Sequence, residues 1–150
     1  RLEAMASIFS KIIDGDIPGR FVWSDEQCVA FLTIEPLRPG HTLVVPREEV
    51  PVWTQLEPEL LAHLTSVAQR IGQAQQAEWD SPFVGLLIAG FDVPHVHLHV
   101  WPTWGPADHD LRNADGSPDP AAMDDVARRL RERLRGLGAA DSVPAEPTQA

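Results

Sequence analysis

Three imidazoles alternate with apolar residues in His95-Val96-His97-Leu98-His99-Val100-Trp101. On an extended strand, successive side chains point to opposite faces. His95, His97 and His99 then share one face, and Val96, Leu98 and Val100 share the other. Neighbouring histidines are spaced by two residue rises, roughly 6.7 Å, and the outer two by about 13 Å. Histidine titrates near neutral pH, so such a row can hold mixed protonation states and pass protons along at little cost. Strict alternation of three is hard to explain as packing alone. Metal binding is the rival chemistry, because a His-x-His pair on a strand can supply two zinc ligands. A third ligand about 13 Å along the same strand reaches one ion only with difficulty. No Cys or Asp/Glu cluster stands close by in the chain.

The elements that must position this row can be read on either side of it. Ile8, Phe9, Ile12 and Ile13 recur at helical spacing and predict a short N-terminal helix, stopped by Gly15 and Pro18. Phe21–Trp23 and Cys28–Leu32 read as a hairpin of two strands across Ser24-Asp25-Glu26. His41–Val45 reads as a third, central strand, entered from a loop rich in Pro and Gly, so His41 sits where loop meets sheet. Pro58 to about Trp79 predicts a long helix with an apolar stripe from Leu60 to Ile71, and His63 falls beside that stripe as a flanking residue. Phe83–Ala89 is a fourth strand expected to pair with the histidine strand.

Thr103 to Pro118 reads as a long loop without regular structure, with His109 exposed in it. Asp119 and Pro120 open a last helix that carries Met123, Val126, Ala127, Leu130 and Leu134 on one face. Its other face, with Arg128, Arg129, Arg131, Glu132, Arg133 and Arg135, is expected to be solvated. The fold class is α+β: about five mostly antiparallel strands, one long helix and a shorter helix at each end. Residues 1–6 are read as lying outside the domain, with Arg1 to Ala4 a cloning remnant before Met5; 7–110 form the domain, 111–138 a loop and helix, and 139–150 a flexible tail.

A chain of 150 residues suits one core. Its net charge of −10 argues against nucleic-acid and anionic-membrane partners, which want basic surfaces. A single cysteine, Cys28, allows no intrachain disulfide and suggests a reducing cytoplasm. No apolar run of transmembrane length and no signal pattern is seen.

A phosphoryl or nucleotidyl centre needs a nucleophile, a donor for the leaving oxygen, and hydrogen bonds where charge develops on the nonbridging oxygens. Three imidazoles can fill these roles, and the middle one, flanked on both sides, is best placed to attack. His41 supplies a fourth ring if its strand pairs beside theirs.

His95-Val96-His97-Leu98-His99-Val100-Trp101-Pro102 resembles the His-x-His-x-His motif of the histidine triad (HIT) family, with its trailing proline. Ile8–Ile13 with Ile17-Pro18, and Pro39–Pro46, look like the family's other signature segments, so the resemblance runs from Ser7 to Pro102. It implies a HIT-like fold that forms a homodimer, usually by joining two five-stranded sheets. The implied activity is a hydrolase or nucleotidyl transferase that acts on a nucleotide phosphoester, phosphoramidate or dinucleoside polyphosphate through a covalent nucleotidyl-histidine. A purine mononucleotide derivative is the expected substrate, with no cofactor and no obligatory metal.

By the same likeness His97 is the nucleophile, His99 contacts the phosphate and leaving group, and His95 and His41 orient and hydrogen-bond. The nucleobase cleft maps to Ile8, Phe9, Ile12, Ile17, Phe31 and Ile34. Thr33 stands where nucleotide-binding members often carry an Asp that grips the ribose, and loss of that charge-assisted bond weakens ribose binding. Phe91 replaces the Gln of a frequent Gly-Gln pair, and Asp92 stands where a small hydroxyl residue is usual. Ser7 and Ser10 occupy positions that are Cys in the zinc-binding relatives, which argues against a structural zinc. The alternative function is a nucleotide- or small-ligand-binding regulator with little catalytic activity.

Overall fold

In a computed structural model, residues 6–150 are described, so the segment Arg1 to Ala4 expected to be a remnant lies outside the described residues. Five strands, β1 (Phe21–Ser24), β2 (Cys28–Leu32), β3 (Thr42–Pro46), β4 (Phe83–Leu87) and β5 (Leu98–Thr103), form one antiparallel sheet in the order β1-β2-β3-β5-β4. Three helices, α1 (Ile8–Ile13), α2 (Pro58–Trp79) and α3 (Pro120–Leu134), complete the α+β fold. The local signals behave as their chemistry requires. Ser7 caps α1 by accepting from the Ser10 amide at 3.0 Å, and Asp119 caps α3 by accepting from the Ala122 amide at 3.0 Å ahead of Pro120.

The sheet has two unlike faces. On one, Ala30, Leu32, Val44, Leu98 and Val100 pack under Leu64, Val67, Ala68, Ile71 and Ala74 of α2, with Met123, Leu130 and Leu134 of α3 in the same cluster. Each large aliphatic side chain removed from water here contributes about 1.5–3 kcal/mol. On the other face, Phe9 and Ile12 of α1 cover Phe21, Val29, Phe31, Leu43 and Val45. Directly paired residues share a face, so the pairs Phe21–Phe31, Phe31–Leu43, Leu43–His99 and His99–Leu87 lay one continuous row across all five strands on this second face.

Several sequence expectations need correction. The histidine segment is not a strand throughout: pairing begins at Leu98, so His95 and His97 precede the ladder and only His99 lies within β5. The reason is β3, whose pairing with β5 stops at Val44–Leu98. The loop after β5 contains two short 3₁₀ turns, Pro106–His109 and Leu111–Asn113. Segment 139–150 is docked rather than free, with Ala139 and Val143 buried and the Phe21 amide donating to the Pro147 carbonyl at 2.7 Å. Arg131 is not on a solvated face. It is 4% exposed and donates to the Phe21 carbonyl at 2.8 Å and to the carbonyls of Pro144 and Ala145. An arginine on the inner side of α3 thereby satisfies backbone acceptors that apolar side chains could not.

Candidate active site

His41 is delivered by a turn that only a small residue permits. Gly40 has φ +95, and a Cβ there would lie 2.7 Å from the Trp79 ring of α2. The buried Gln75 of α2 donates to the carbonyls of Gly40 at 2.8 Å and Val100 at 3.0 Å, tying this turn to β5. The consequence is a side-by-side arrangement of His41 and His99, with ring centroids 5.2 Å apart. His97 and His99 have centroids 5.1 Å apart, closer than the two-rise strand spacing. The Phe9 ring meets the His97 ring edge-on at 4.8 Å and the His95 ring at 5.9 Å.

Hydrogen-bond partners fix which nitrogen of each ring carries the proton, because a backbone amide can only donate and a carbonyl only accept. The Leu37 amide donates to His41 Nδ1 at 3.0 Å, so His41 carries its proton on Nε2 and donates it to His99 Nδ1 at 2.9 Å. His99 therefore presents Nε2–H. The reverse holds at His97, whose Nδ1–H donates to the His95 carbonyl at 2.8 Å. Its Nε2 keeps a lone pair, with no hydrogen bond among the described residues and no seal from solvent. His95 donates from Nε2 to the Pro46 carbonyl at 2.8 Å and accepts at Nδ1 from the Ser7 hydroxyl at 2.6 Å. This ring is fully buried, and it holds His97 through its backbone.

The same surroundings keep the rings neutral. Burial, reinforced by the neighbouring His99, lowers the His41 pKa to about 3. Burial and then His97 lower His99 to about 4. Burial lowers His97 as well, against the opposing pull of the His95 carbonyl and the Asp92 carboxylate. Neutral imidazole is the form in which His97 Nε2 has a free lone pair.

The other expected site residues divide. Phe9, Ile12 and Phe31 are brought together in the buried cluster below the rings, and Ile17 packs at its margin. Ile8 is 47% exposed, and Ile34 is 72% exposed. Thr33 is half-buried, its hydroxyl accepting from the Glu35 amide at 3.2 Å. Asp92 is exposed, and so is Phe91, which lines a cleft of about 490 Å³ with Leu87, Ile88, Pro106, His109 and Leu111. Leu87 is the residue opposite His99, so this cleft opens beside the imidazole row. His109 is exposed as expected, yet its ring stands edge-on to Trp101 at 5.2 Å.

The positions where zinc-binding relatives carry cysteine now have a geometry. Ser7 bonds His95, and the Ser10 hydroxyl donates to Glu49 Oε1 at 2.8 Å. Two neutral hydroxyls, with the His95 lone pair already engaged, are a poor zinc donor set. These residues do not fit that metal.

Sequence reasoning missed Gln75, the Leu37 amide and the Ser7–His95 bond, since backbone donors and polar groups on a distant helix leave no local pattern. It also read His63 as a flanking residue, whereas its Nε2 lies 2.8 Å from Asp25 Oδ2.

Comparison with known proteins places this geometry. The HIT domain family model matches residues 14–104. An uncharacterized HIT-like protein of Saccharolobus solfataricus is 32% identical over 130 residues, 83% of this chain and 85% of the relative. Protein hit of Bacillus subtilis is 35% identical over 106 residues, 67% of this chain and 73% of the relative. A zinc-bound histidine triad family protein from Mycobacterium smegmatis superposes with a TM-score of 0.78 at 30% identity, covering 91% of this chain and 99% of that one. A hypothetical histidine triad nucleotide-binding protein from Sulfolobus tokodaii gives 0.76 at 26% identity, covering 86% and 92%. With the fold, the motif and these matches in agreement, the chain belongs to the HIT family.

Proposed function

We propose that this protein is a HIT-type hydrolase or nucleotidyl transferase whose substrate is a nucleotide phosphoester, phosphoramidate or dinucleoside polyphosphate, a purine mononucleotide derivative above all. One observation carries the reading: the hydrogen bonds give His97 a bare Nε2 and its neighbour His99 an Nε2–H, a nucleophile beside a donor. His97 Nε2 attacks the α-phosphorus, the bond to the leaving group breaks, and a nucleotidyl-histidine forms. Water then cleaves the P–N bond and restores the ring. His99 Nε2–H bonds a nonbridging or leaving oxygen, where negative charge develops, and His41 and His95 hold the two rings.

An anionic phosphate between the rings raises the His99 pKa from its depressed value, which makes that group a proton donor once substrate is bound. The base packs by Phe9, Ile12, Ile17 and Phe31 with Ile8 and Ile34 at the outside, the ribose lies by Thr33, and the leaving group faces Phe91 and Asp92. Support for a homodimer comes from the edge strand β4, which exposes Phe83 (61%) and Leu86 (52%). No helix among the described residues is long and apolar enough to cross a membrane. The lone, buried Cys28 accords with a cytoplasmic protein.

Incubation with an adenosine phosphoramidate should release AMP, and His97→Ala should abolish the release. Equal turnover in that variant contradicts the reading. Thermal stabilisation by AMP that persists in His97→Ala, with background turnover of every phosphoester in both proteins, would instead favour the binding regulator.

A further inference from the structure

On the opposite sheet face, away from the histidine row, three different metal-ligating side chains converge. Asp25 lies in the β1–β2 turn, Cys28 opens β2, and His63 reaches down from α2. One donor atom from each lies within 4.8 Å of the other two. His63 Nε2 is 2.8 Å and Cys28 Sγ 3.6 Å from the same oxygen, Asp25 Oδ2. We propose that Asp25, Cys28 and His63 form a binding site for a thiophilic divalent cation such as Zn²⁺, separate from the imidazole row.

The chemistry of the set favours this class of ion. One carboxylate, one thiolate and one neutral imidazole are the soft and borderline donors that zinc and cobalt select, and their two negative charges balance a divalent ion. The carboxylate is already held in place: its Oδ1 accepts from the amides of Gln27 at 2.8 Å and Cys28 at 2.9 Å, and its Oδ2 from the Trp23 indole at 2.8 Å. Such outer contacts orient a metal ligand before the ion arrives. Oδ2 serves the indole, the imidazole and the thiol at once, more donors than one carboxylate oxygen accommodates well. An ion at the centre leaves Oδ2 its bond to Trp23; the His63 proton moves through solvent from Nε2, where it bonds Asp25, to Nδ1, so that the Nε2 lone pair and the Cys28 sulfur bind the ion.

Entry is open on one side, since the side chains of His63 and Asp25 are 31% and 21% exposed while Cys28 is sealed below them. The fourth position of a tetrahedral ion then faces water. Two cations border the cluster: Arg47 donates to the Asp25 carbonyl, and Arg70 lies over the Trp23 ring. Burial and the adjacent carboxylate push the Cys28 thiol well above its ordinary value. Binding therefore expels the thiol proton to solvent as the M–S bond forms, and affinity rises with pH.

Cobalt(II) titration of the reduced full chain tests the site, because the chain has one cysteine and the imidazole row cannot produce a thiolate band. The expected result is a thiolate-to-cobalt charge-transfer band in the near ultraviolet that saturates at one equivalent, is bleached by Zn²⁺, and is lost in Cys28→Ser. His63→Ala alters a half-exposed helix residue and should fold normally. It should weaken cobalt binding by more than about 100-fold, as loss of a direct ligand exceeds the 10–100-fold typical of outer contacts. No thiolate band at saturating cobalt, or an unchanged titration in His63→Ala, overturns the proposal. Neither outcome bears on nucleotide turnover.

Discussion

His41 donates from Nε2 to His99 Nδ1 at 2.9 Å, and that single bond decides which side of the His99 ring presents a proton to the site. His41 can do so because its own Nδ1 accepts from the Leu37 amide. Long-range ¹H–¹⁵N spectra at pH 7 should therefore show His99 as the Nε2–H tautomer and His97 as the Nδ1–H tautomer. In His41→Ala the His99 signals should show a tautomer mixture, with turnover reduced. His99→Ala should lower turnover by roughly 10²–10⁴, the range for a lost acid–base partner.

Stability should depend on pH through the same rings. His41 and His99 have folded-state pKa values of about 3 and 4, below the ordinary 6.5, so the unfolded chain binds more protons as the solution is acidified. The stabilisation is complete above pH 6.5 and is lost as pH falls towards 4 and then 3. The effect is on the order of 3 kcal/mol at His99 alone. Urea unfolding at pH 7, 5.5 and 4.5 should show a falling midpoint, and His41→Asn should flatten the trend.

Gly85→Ala should destabilise the fold through Trp101, whose ring also packs beside His41 with centroids 5.4 Å apart. A Cβ at this position of β4 would lie 2.4 Å from the Trp101 ring, which fills the space across from it on β5. Overpacking of this kind costs about 1–3 kcal/mol. A lowered melting temperature checks it, and an unchanged one would show that Trp101 can move aside.

Arg131→Met should release the C-terminal segment. The change leaves the buried Phe21 carbonyl and the Pro144 and Ala145 carbonyls without their donor, at a cost of about 1–3 kcal/mol. Limited proteolysis should cut the variant after residue 138 faster than the wild type.

The sheet, the helices and the histidine row were legible because each leaves a local trace: alternation at 95–101, helical spacing at 58–79, and a cap followed by proline at 119–120. What escaped depends on partners far apart in the chain. Arg131 sits among six other charged residues of α3, and only the fold shows that it turns inward to β1. The tail from Ala139 carries few apolar residues, yet Ala139 and Val143 are buried and hydrogen bonds from Arg131 and the Phe21 amide hold its backbone. His63 gains its meaning from Asp25, 38 residues away. The protonation pattern of the imidazoles rests on backbone groups of Leu37, Pro46 and His95, which no side-chain motif records.

The central claim is that His97 Nε2 forms a bond to phosphorus. Acid-quench mass spectrometry during turnover of an adenosine phosphoramidate tests it most directly. The account predicts a single adenylyl adduct on the peptide containing His97, accumulating in the first turnover and absent in His97→Ala. Turnover without any adduct, or an adduct that survives in His97→Ala, would contradict it.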